Sequence, residues 1–358
     1  MIAGVVRLCL SLLIVALAGL SGVVGMEREL GEKLRAAFEA GELSGLHSVL
    51  VVHKGEIVAE SHFKGEDERW GSSLGERVHG QDTLHDLRSV TKSIVSLLHG
   101  IALSEGRVPG LDERLIDHFP EYADLAKDPE RRKILVRHAL SMKMGTEWNE
   151  DLPYSDPKNS EIAMELARDR YRFVLDRPMV NEPGDWWVYN GGATAVIAKL
   201  IADGAGKPVD TYAEEKLFKP LGITKFEWIK GGDDVPSAAS GLRLNIHDLA
   251  KIGQLVLQDG SYEGKRIVPA HWLDASFTPY SNLQSGLRYG LFWWLSGEGS
   301  PPNWSAGFGN GGQRLTISKG EELVLVVFAG NYNDPDAWKL PVKIITEFVI
   351  PTLFPGKQ

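Results

Sequence analysis

The chain has 358 residues, more than the roughly 100 to 200 of one ordinary domain, so it has volume for a large core and needs no staples to fold. Apolar residues at 43%, charged residues at 24%, 39 glycines and 18 prolines exclude a disordered, collagenous or coiled-coil chain. A formal net charge of −9 without a long basic run removes the attraction for phosphate backbones, so no nucleic-acid partner is expected.

Residues 8–25 form an uncharged run after Arg7 that ends in small residues, with Ala16-Leu17-Ala18 resembling a cleavage site. This reads as an export signal, so residues 1–25 are set apart from a domain at 26–358 and the protein is expected outside the cytoplasm. The alternative is an uncleaved anchor, a membrane tether through residues 8–25, because the run is near the roughly 20 residues that span a bilayer. Cys9, the only cysteine, opens this run, which leaves no disulfide, no cysteine-based zinc site and no thiol nucleophile beyond it.

Leu30, Leu34, Ala37 and Phe38 have helical spacing within 26–43, and Gly41 stops the helix. His47–His53 and Glu56–Phe63, separated by Lys54-Gly55, have the grammar of a hairpin, and a polar loop is expected after them. From Ser89 to Leu103 apolar residues cover every face, as in a buried central helix. Prolines punctuate 106–230 into short helices such as Ser160–Asp169 and Ala193–Asp203. Strand patterns return at Leu287–Leu295, Gln313–Ser318 and Glu322–Phe328, and a helix is expected over Asp336–Phe348. The pattern predicts an α/β, more strictly α+β, fold. One antiparallel sheet is built from both termini (about 26–105 and 231–358), flanked by helices, with a helical insertion at about 106–230.

Ser-x-x-Lys occurs at Ser61/Lys64, Ser89/Lys92 and Ser155/Lys158. Ser61 ends a strand, where positions three apart face opposite ways, and Ser155 lies between Pro153 and Pro157. Only Ser89/Lys92 opens a strong helix, where this spacing stacks hydroxyl and amine on one face. A serine needs a nearby base to become a nucleophile; a lysine buried among apolar residues is expected to lose basicity and accept the proton. The plainer reading is a capping serine beside a snorkelling lysine.

Tyr189 follows Pro183-Gly184 and precedes Asn190-Gly191-Gly192 and an apolar helix. A phenol next to an ammonium can act as general base and then general acid, whereas the plainer reading is a core tyrosine among tryptophans. Gly307-Phe308-Gly309-Asn310-Gly311-Gly312-Gln313 fits G-x-G-x-x-G, but a strand follows where a dinucleotide fingerprint needs a helix. Glycines at a strand edge let a substrate approach backbone N–H groups, as an oxyanion hole requires, and Asn310–Gln313 is preferred for that role.

Taken in order, Ser89-Val90-Thr91-Lys92-Ser93, the segment Pro183 to Tyr189, Ser240-Gly241-Leu242-Arg243-Leu244 with Asp248-Leu249-Ala250, and the glycine-rich hairpin resemble the serine β-lactamase and penicillin-recognising superfamily. The likeness is strongest to its class C β-lactamase-related branch of esterases, D-aminopeptidases and 6-aminohexanoate-dimer hydrolases. It implies the β-lactamase/transpeptidase-like fold, Ser89 as the acylated nucleophile, and Lys92 and Tyr189 sharing the base and proton-shuttle role. It also implies an oxyanion hole from the backbone N–H groups of Ser89 and Gln313, beside Gly312, with Asn310 standing where relatives carry Lys or His. Tyr154 resembles the loop tyrosine that contacts substrate in nylon-oligomer hydrolases, and Asn190 falls in the Tyr-x-Asn box. Two departures stand out: the box reads Tyr189-Asn190-Gly191, without an amide at its third position, and no Lys-Thr-Gly exists. Both weaken recognition of the β-lactam carboxylate while leaving acyl transfer intact.

Gly71-Ser72-Ser73-Leu74-Gly75 fits G-x-S-x-G but lacks the strand before and the helix after that an α/β-hydrolase elbow requires. His47, His53, His62, His79, His85, His99 and His138 show no ligand spacing, so neither metal nor cofactor is expected. The sequence therefore points to an exported, metal-independent serine hydrolase acting on a small ester, amide or short peptide. The rival is a binding or sensor module of the same fold that acylates once at most.

Overall fold

The computed structural model describes residues 29–356, so the segment read as an export signal lies outside the described residues. Among the described residues no helix is long and apolar enough to cross a membrane.

The main sheet has eight strands, all antiparallel, in the order Ser281–Asn282, Arg288–Tyr289, Trp294–Leu295, Ser305–Gly309, Gln313–Ser318, Leu323–Ala329, Leu46–His53, Glu56–His62. The two ends of the chain meet where Leu46–His53 pairs with Leu323–Ala329. Both strands are buried at almost every position because both faces of the sheet are covered, and alternate residues serve different cores. Leu50, Val52, Val324 and Val326 join the helices Val90–Ser104, Gly191–Ala205 and Ile246–Leu257. Val49, Val51, Leu325 and Val327 face a second core, closed by Leu30 and Leu34 of the helix at 29–39 and by Ile344 and Val349 of the helical stretch at 339–353. Between Asp86 and Glu227 the chain has helices, turns and loops, with no strand beyond isolated bridges.

Four local expectations change. The segment expected as a polar loop is a second hairpin, Lys64–Arg69 with Ser72–Val78, turning through Trp70 (φ 47°) and Gly71 (φ 89°). Two successive left-handed residues match the twist of the flanking strands, and the G-x-S-x-G pentapeptide lies on this turn and its outgoing strand. The stretch Leu287–Leu295 is two short strands folded on each other, reversing near Phe292 at φ 61°. A strand, Ser305–Gly309, precedes the glycine-rich turn. The terminal helical stretch starts at Lys339 and ends at Leu353.

Candidate active site

Ser89 sits at the N-terminus of the central helix, Val90–Ser104, which is buried along nearly its whole length and is apolar all round for that reason. Its side chain makes no capping hydrogen bond, so the plainer reading of a capping serine fails. Arg88, immediately before it, has φ 48°, a strained value for a bulky residue. Glu68 and Asp86 hold the Arg88 guanidinium by ion pairs, and Tyr332 lies under it with the ring centroid 4.9 Å away. The Ser305–Gly309 strand passes close by: a Cβ at Gly309 would lie 2.4 Å from the Leu87 carbonyl oxygen, and one at Gly307 2.9 Å from Val90. Only glycines let this backbone run beside the serine.

Lys92, one turn on, is 1% exposed and does not snorkel. Its Nζ donates to Ser89 Oγ at 3.0 Å and to the Ala239 carbonyl at 3.0 Å, and lies 3.5 Å from Glu161 Oε2. The expectation that burial lowers its basicity is corrected here. Burial does act downward, but the Glu161 carboxylate, with Tyr189 and Glu150 beyond it, outweighs it and holds the ammonium above its ordinary value.

Tyr189 is brought to the same place, with Lys92 Nζ 4.8 Å from its ring centroid. Burial raises its phenol pKa; Lys92 and a hydrogen bond to Ser89 act the other way without reversing the direction. The resting site therefore holds an ammonium and a neutral phenol around the serine hydroxyl. Trp187 and Trp294 pack against the tyrosine, at 6.1 and 5.9 Å between ring centroids.

Two carboxylates that sequence reasoning did not single out complete this cluster. Glu150 Oε1 accepts from Trp148 Nε1 at 2.6 Å and from the Gly191 N–H, and Oε2 accepts from the Tyr154 hydroxyl at 3.2 Å. Burial first, and Glu161 second, push Glu150 up to about 7, against Lys92 and the Gly191 amide. Glu161, 3% exposed, accepts from Ser240 Oγ at 2.8 Å and leaves Oε2 facing Lys92. The box that lacks its amide is filled in this way: a Cβ at Gly191 would lie 2.5 Å from Glu161 Oε2 and 3.1 Å from Glu150 Oε1. A glycine pair opening a buried helix costs about 1 kcal/mol per residue relative to alanine, and that was the one available signal that something large packs there.

The remaining residues singled out from the sequence have other partners. Asn190 caps the helix Gly191–Ala205, its side-chain oxygen accepting from the Ala193 N–H at 2.9 Å. Gln313 is buried, its amide donating to Ala329 O at 2.6 Å and accepting from Ala329 N at 3.0 Å. A Cβ at Gly312 would meet the Ala337 carbonyl and Ala329. Asn310 pairs with Asn333 through both ends of its amide, at 3.1 and 2.8 Å. Tyr154 stands over Glu150. Gly309 of the same hairpin runs against the turn before Ser89, where a Cβ would lie 2.4 Å from the Leu87 carbonyl oxygen and 3.2 Å from Arg88 Cβ.

In sequence the chain is 24% identical over 312 residues to a 6-aminohexanoate-dimer hydrolase of Paenarthrobacter ureafaciens, covering 80% of this chain and 73% of that one. It is 24% identical over 211 residues to an Escherichia coli K12 protein provisionally named as a D-alanyl-D-alanine carboxypeptidase, covering 56% of this chain. That match spans about half of the relative, 48% of its length. Among solved structures a family VIII carboxylesterase superposes with a TM-score of 0.67 at 17% identity, over 91% of this chain and 97% of that one. A penicillin-binding protein of Bacillus halodurans gives 0.65 at 15% identity, over 88% and 99%. At such identities the likeness establishes the β-lactamase/transpeptidase fold. The Beta-lactamase family model matches residues 33–339, which takes in the whole sheet and the segments that place Ser89, Lys92 and Tyr189, and the chain belongs to that family of hydrolases.

Proposed function

We propose that this protein is an exported serine hydrolase that cleaves esters or short amides through an acyl-enzyme on Ser89. The observation that carries the reading is the 3.0 Å hydrogen bond from a fully buried Lys92 to Ser89 Oγ, with Glu161 behind the ammonium. A lysine with no catalytic task has little reason to be buried with its charge aimed at a serine.

Ser89 Oγ attacks the carbonyl carbon, and its proton leaves along the Lys92 and Tyr189 pair as the oxygen bonds to carbon. Lys92 is charged at rest, so it takes up that proton only as it gives one of its own to the leaving group, while the Glu161 carboxylate holds the ammonium in place. The same groups return a proton to the departing alcohol or amine, and water then releases the acyl group from Ser89. The Ser89 amide and an N–H of the Gly309–Gln313 hairpin would stabilise the oxyanion. Asn310 supplies no positive charge for a substrate carboxylate, which favours esters and uncharged amides over β-lactams. Ester and amide are also the bond types in the names of the carboxylesterase and the 6-aminohexanoate-dimer hydrolase that the chain resembles.

The test is intact-mass analysis after exposure to a fluorophosphonate. A single adduct on Ser89 is expected, absent in Ser89→Ala at unchanged thermal stability, with labelling slowed about 10²-fold in Tyr189→Phe. An adduct that persists in Ser89→Ala would overturn the assignment. A burst with a chromogenic ester that stops at one equivalent of product would instead support the sensor reading.

A further inference from the structure

Spacing along the chain gave no metal expectation, yet the fold brings three of the histidines into one buried cluster. His47 lies in the Leu46–His53 strand, His79 directly after Ser72–Val78, and His85 opens the short strand that leads through Arg88 to Ser89. They are 1%, 4% and 1% exposed, and one nitrogen from each lies within 4.8 Å of the others. Asp67, 4% exposed, places Oδ1 3.6 Å from His85 Nε2.

Hydrogen bonding fixes the tautomer of one ring. His85 Nδ1 lies 3.1 Å from the Asp86 carbonyl oxygen, which can only accept, so the proton is on Nδ1. A neutral imidazole then has a bare lone pair on Nε2, and that atom points at His47 Nδ1, 2.9 Å away, and at the Asp67 carboxylate. On the far side of the His47 ring, Nε2 and the Glu66 carbonyl oxygen lie together against Gly330. A proton on His47 Nε2 would leave two bare nitrogens facing each other, an arrangement that a cation relieves, beside Asp67 Oδ1, which accepts from the Tyr332 hydroxyl at 3.1 Å and the Glu68 N–H at 2.9 Å. His79 Nε2, His47 Nε2 and Asp67 Oδ2 are buried with no hydrogen-bond partner, whereas nearly all such atoms in folded proteins have one. His85, with its outer N–H on a backbone carbonyl and its inner nitrogen bare, has the orientation of a metal-ligating histidine.

We propose that His47, His79, His85 and Asp67 bind a divalent transition-metal ion of the zinc class, a structural site beneath the turn that presents Ser89. Neutral imidazoles and one carboxylate suit such an ion at four-coordination, with metal–nitrogen distances of about 2.0–2.1 Å. His47 and His79 stack at 4.0 Å and 15°, so their nitrogens lie side by side; loading turns His79 toward the others, and it stands on a loop rather than within a strand. Arg77 reaches Asp67 Oδ2 from outside at 3.5 Å, while Arg88 and Arg243 are committed to Asp86. The ion would join the first sheet strand, the Lys64–Val78 hairpin and the strand leading to Ser89. It stands apart from the Ser89 chemistry, and its test needs no turnover.

The test uses tag-free full-length protein, stripped with chelator and titrated with Zn²⁺ by calorimetry and with Co²⁺ by visible absorption. One equivalent of each metal is expected, with the intense bands of tetrahedral Co²⁺. The unfolding constant should fall about 100-fold at a free zinc concentration 100 times the Kd. His79→Ala and Asp67→Asn should each weaken Co²⁺ binding at least tenfold while circular dichroism stays unchanged. Absence of stoichiometric binding by the parent protein would overturn the site in favour of a metal-free cluster in which His47 donates to His85, whatever the variants do. Equal binding by the parent and a folded His79→Ala or Asp67→Asn would overturn it as well.

Discussion

At Lys92 two opposing effects meet, and their balance sets the resting state of the site. Burial removes the water that favours an ammonium; Glu161 at 3.5 Å and Glu150 behind it restore that preference with interest. Part of the cost falls on Glu150, whose pKa rises from 4.5 to about 7. Between those values the folded protein binds a proton that the unfolded chain does not, so this residue makes stability fall as pH climbs from 4.5 to 7. Glu150→Gln removes the titration, and its unfolding free energy should decline less than that of the parent over this window. Urea unfolding at the two pH values checks it, and an equal or steeper decline in the variant would count against the assignment. The sequence made Ser89, Lys92 and Tyr189 legible because a helical spacing and a Pro-Gly…Tyr segment are local features. Glu150 and Glu161 were not, since acidic residues among short helices read as surface until packing shows what faces them.

Among the elements, two hairpins with the same kind of turn differed in how well they could be read. Lys54-Gly55 (φ 52° and 82°) joins two apolar strands and was recognised. Trp70-Gly71 joins strands of charged and small residues whose alternation hides no apolar face, and it read as loop. The central helix was legible from its run of apolar residues, but the reason for its one glycine was not. A Cβ on Gly100 would come 2.1 Å from the Trp272 ring, itself buried. Gly100→Ala gains up to about 1 kcal/mol of helix propensity but overpacks a closed interface at a cost of about 1–3 kcal/mol. A net loss of thermal stability is expected by calorimetry, and a gain would show that the helix and Trp272 can separate freely.

For the molecule as a whole, the second core depends on residues far apart in the chain. Leu340, Ile344, Val349 and Leu353 cover the outer face of strands drawn from both ends. Burial of four such side chains contributes roughly 6–12 kcal/mol at about 1.5–3 each, as large as the total stability of about 5–15 kcal/mol of an ordinary protein. A chain ended at Asp336 should therefore be recovered as insoluble or non-cooperatively folded protein. Soluble product with a sharp thermal transition would mean that the terminal helix is dispensable.

The sequence by itself determined the strands at both ends, the buried central helix, the serine and lysine on one helical face, and the family to which these motifs point. Each of these is written in residues a few positions apart, where backbone periodicity alone decides which side chains are neighbours. Only the tertiary structure decided that Gly191 yields its space to Glu161, that Lys92 is held charged, and that His47, His79 and His85 share one buried pocket. Most of those relations join residues tens of positions apart, and they arise when sheet closure and helix packing bring separate elements into van der Waals contact, which no local spacing encodes.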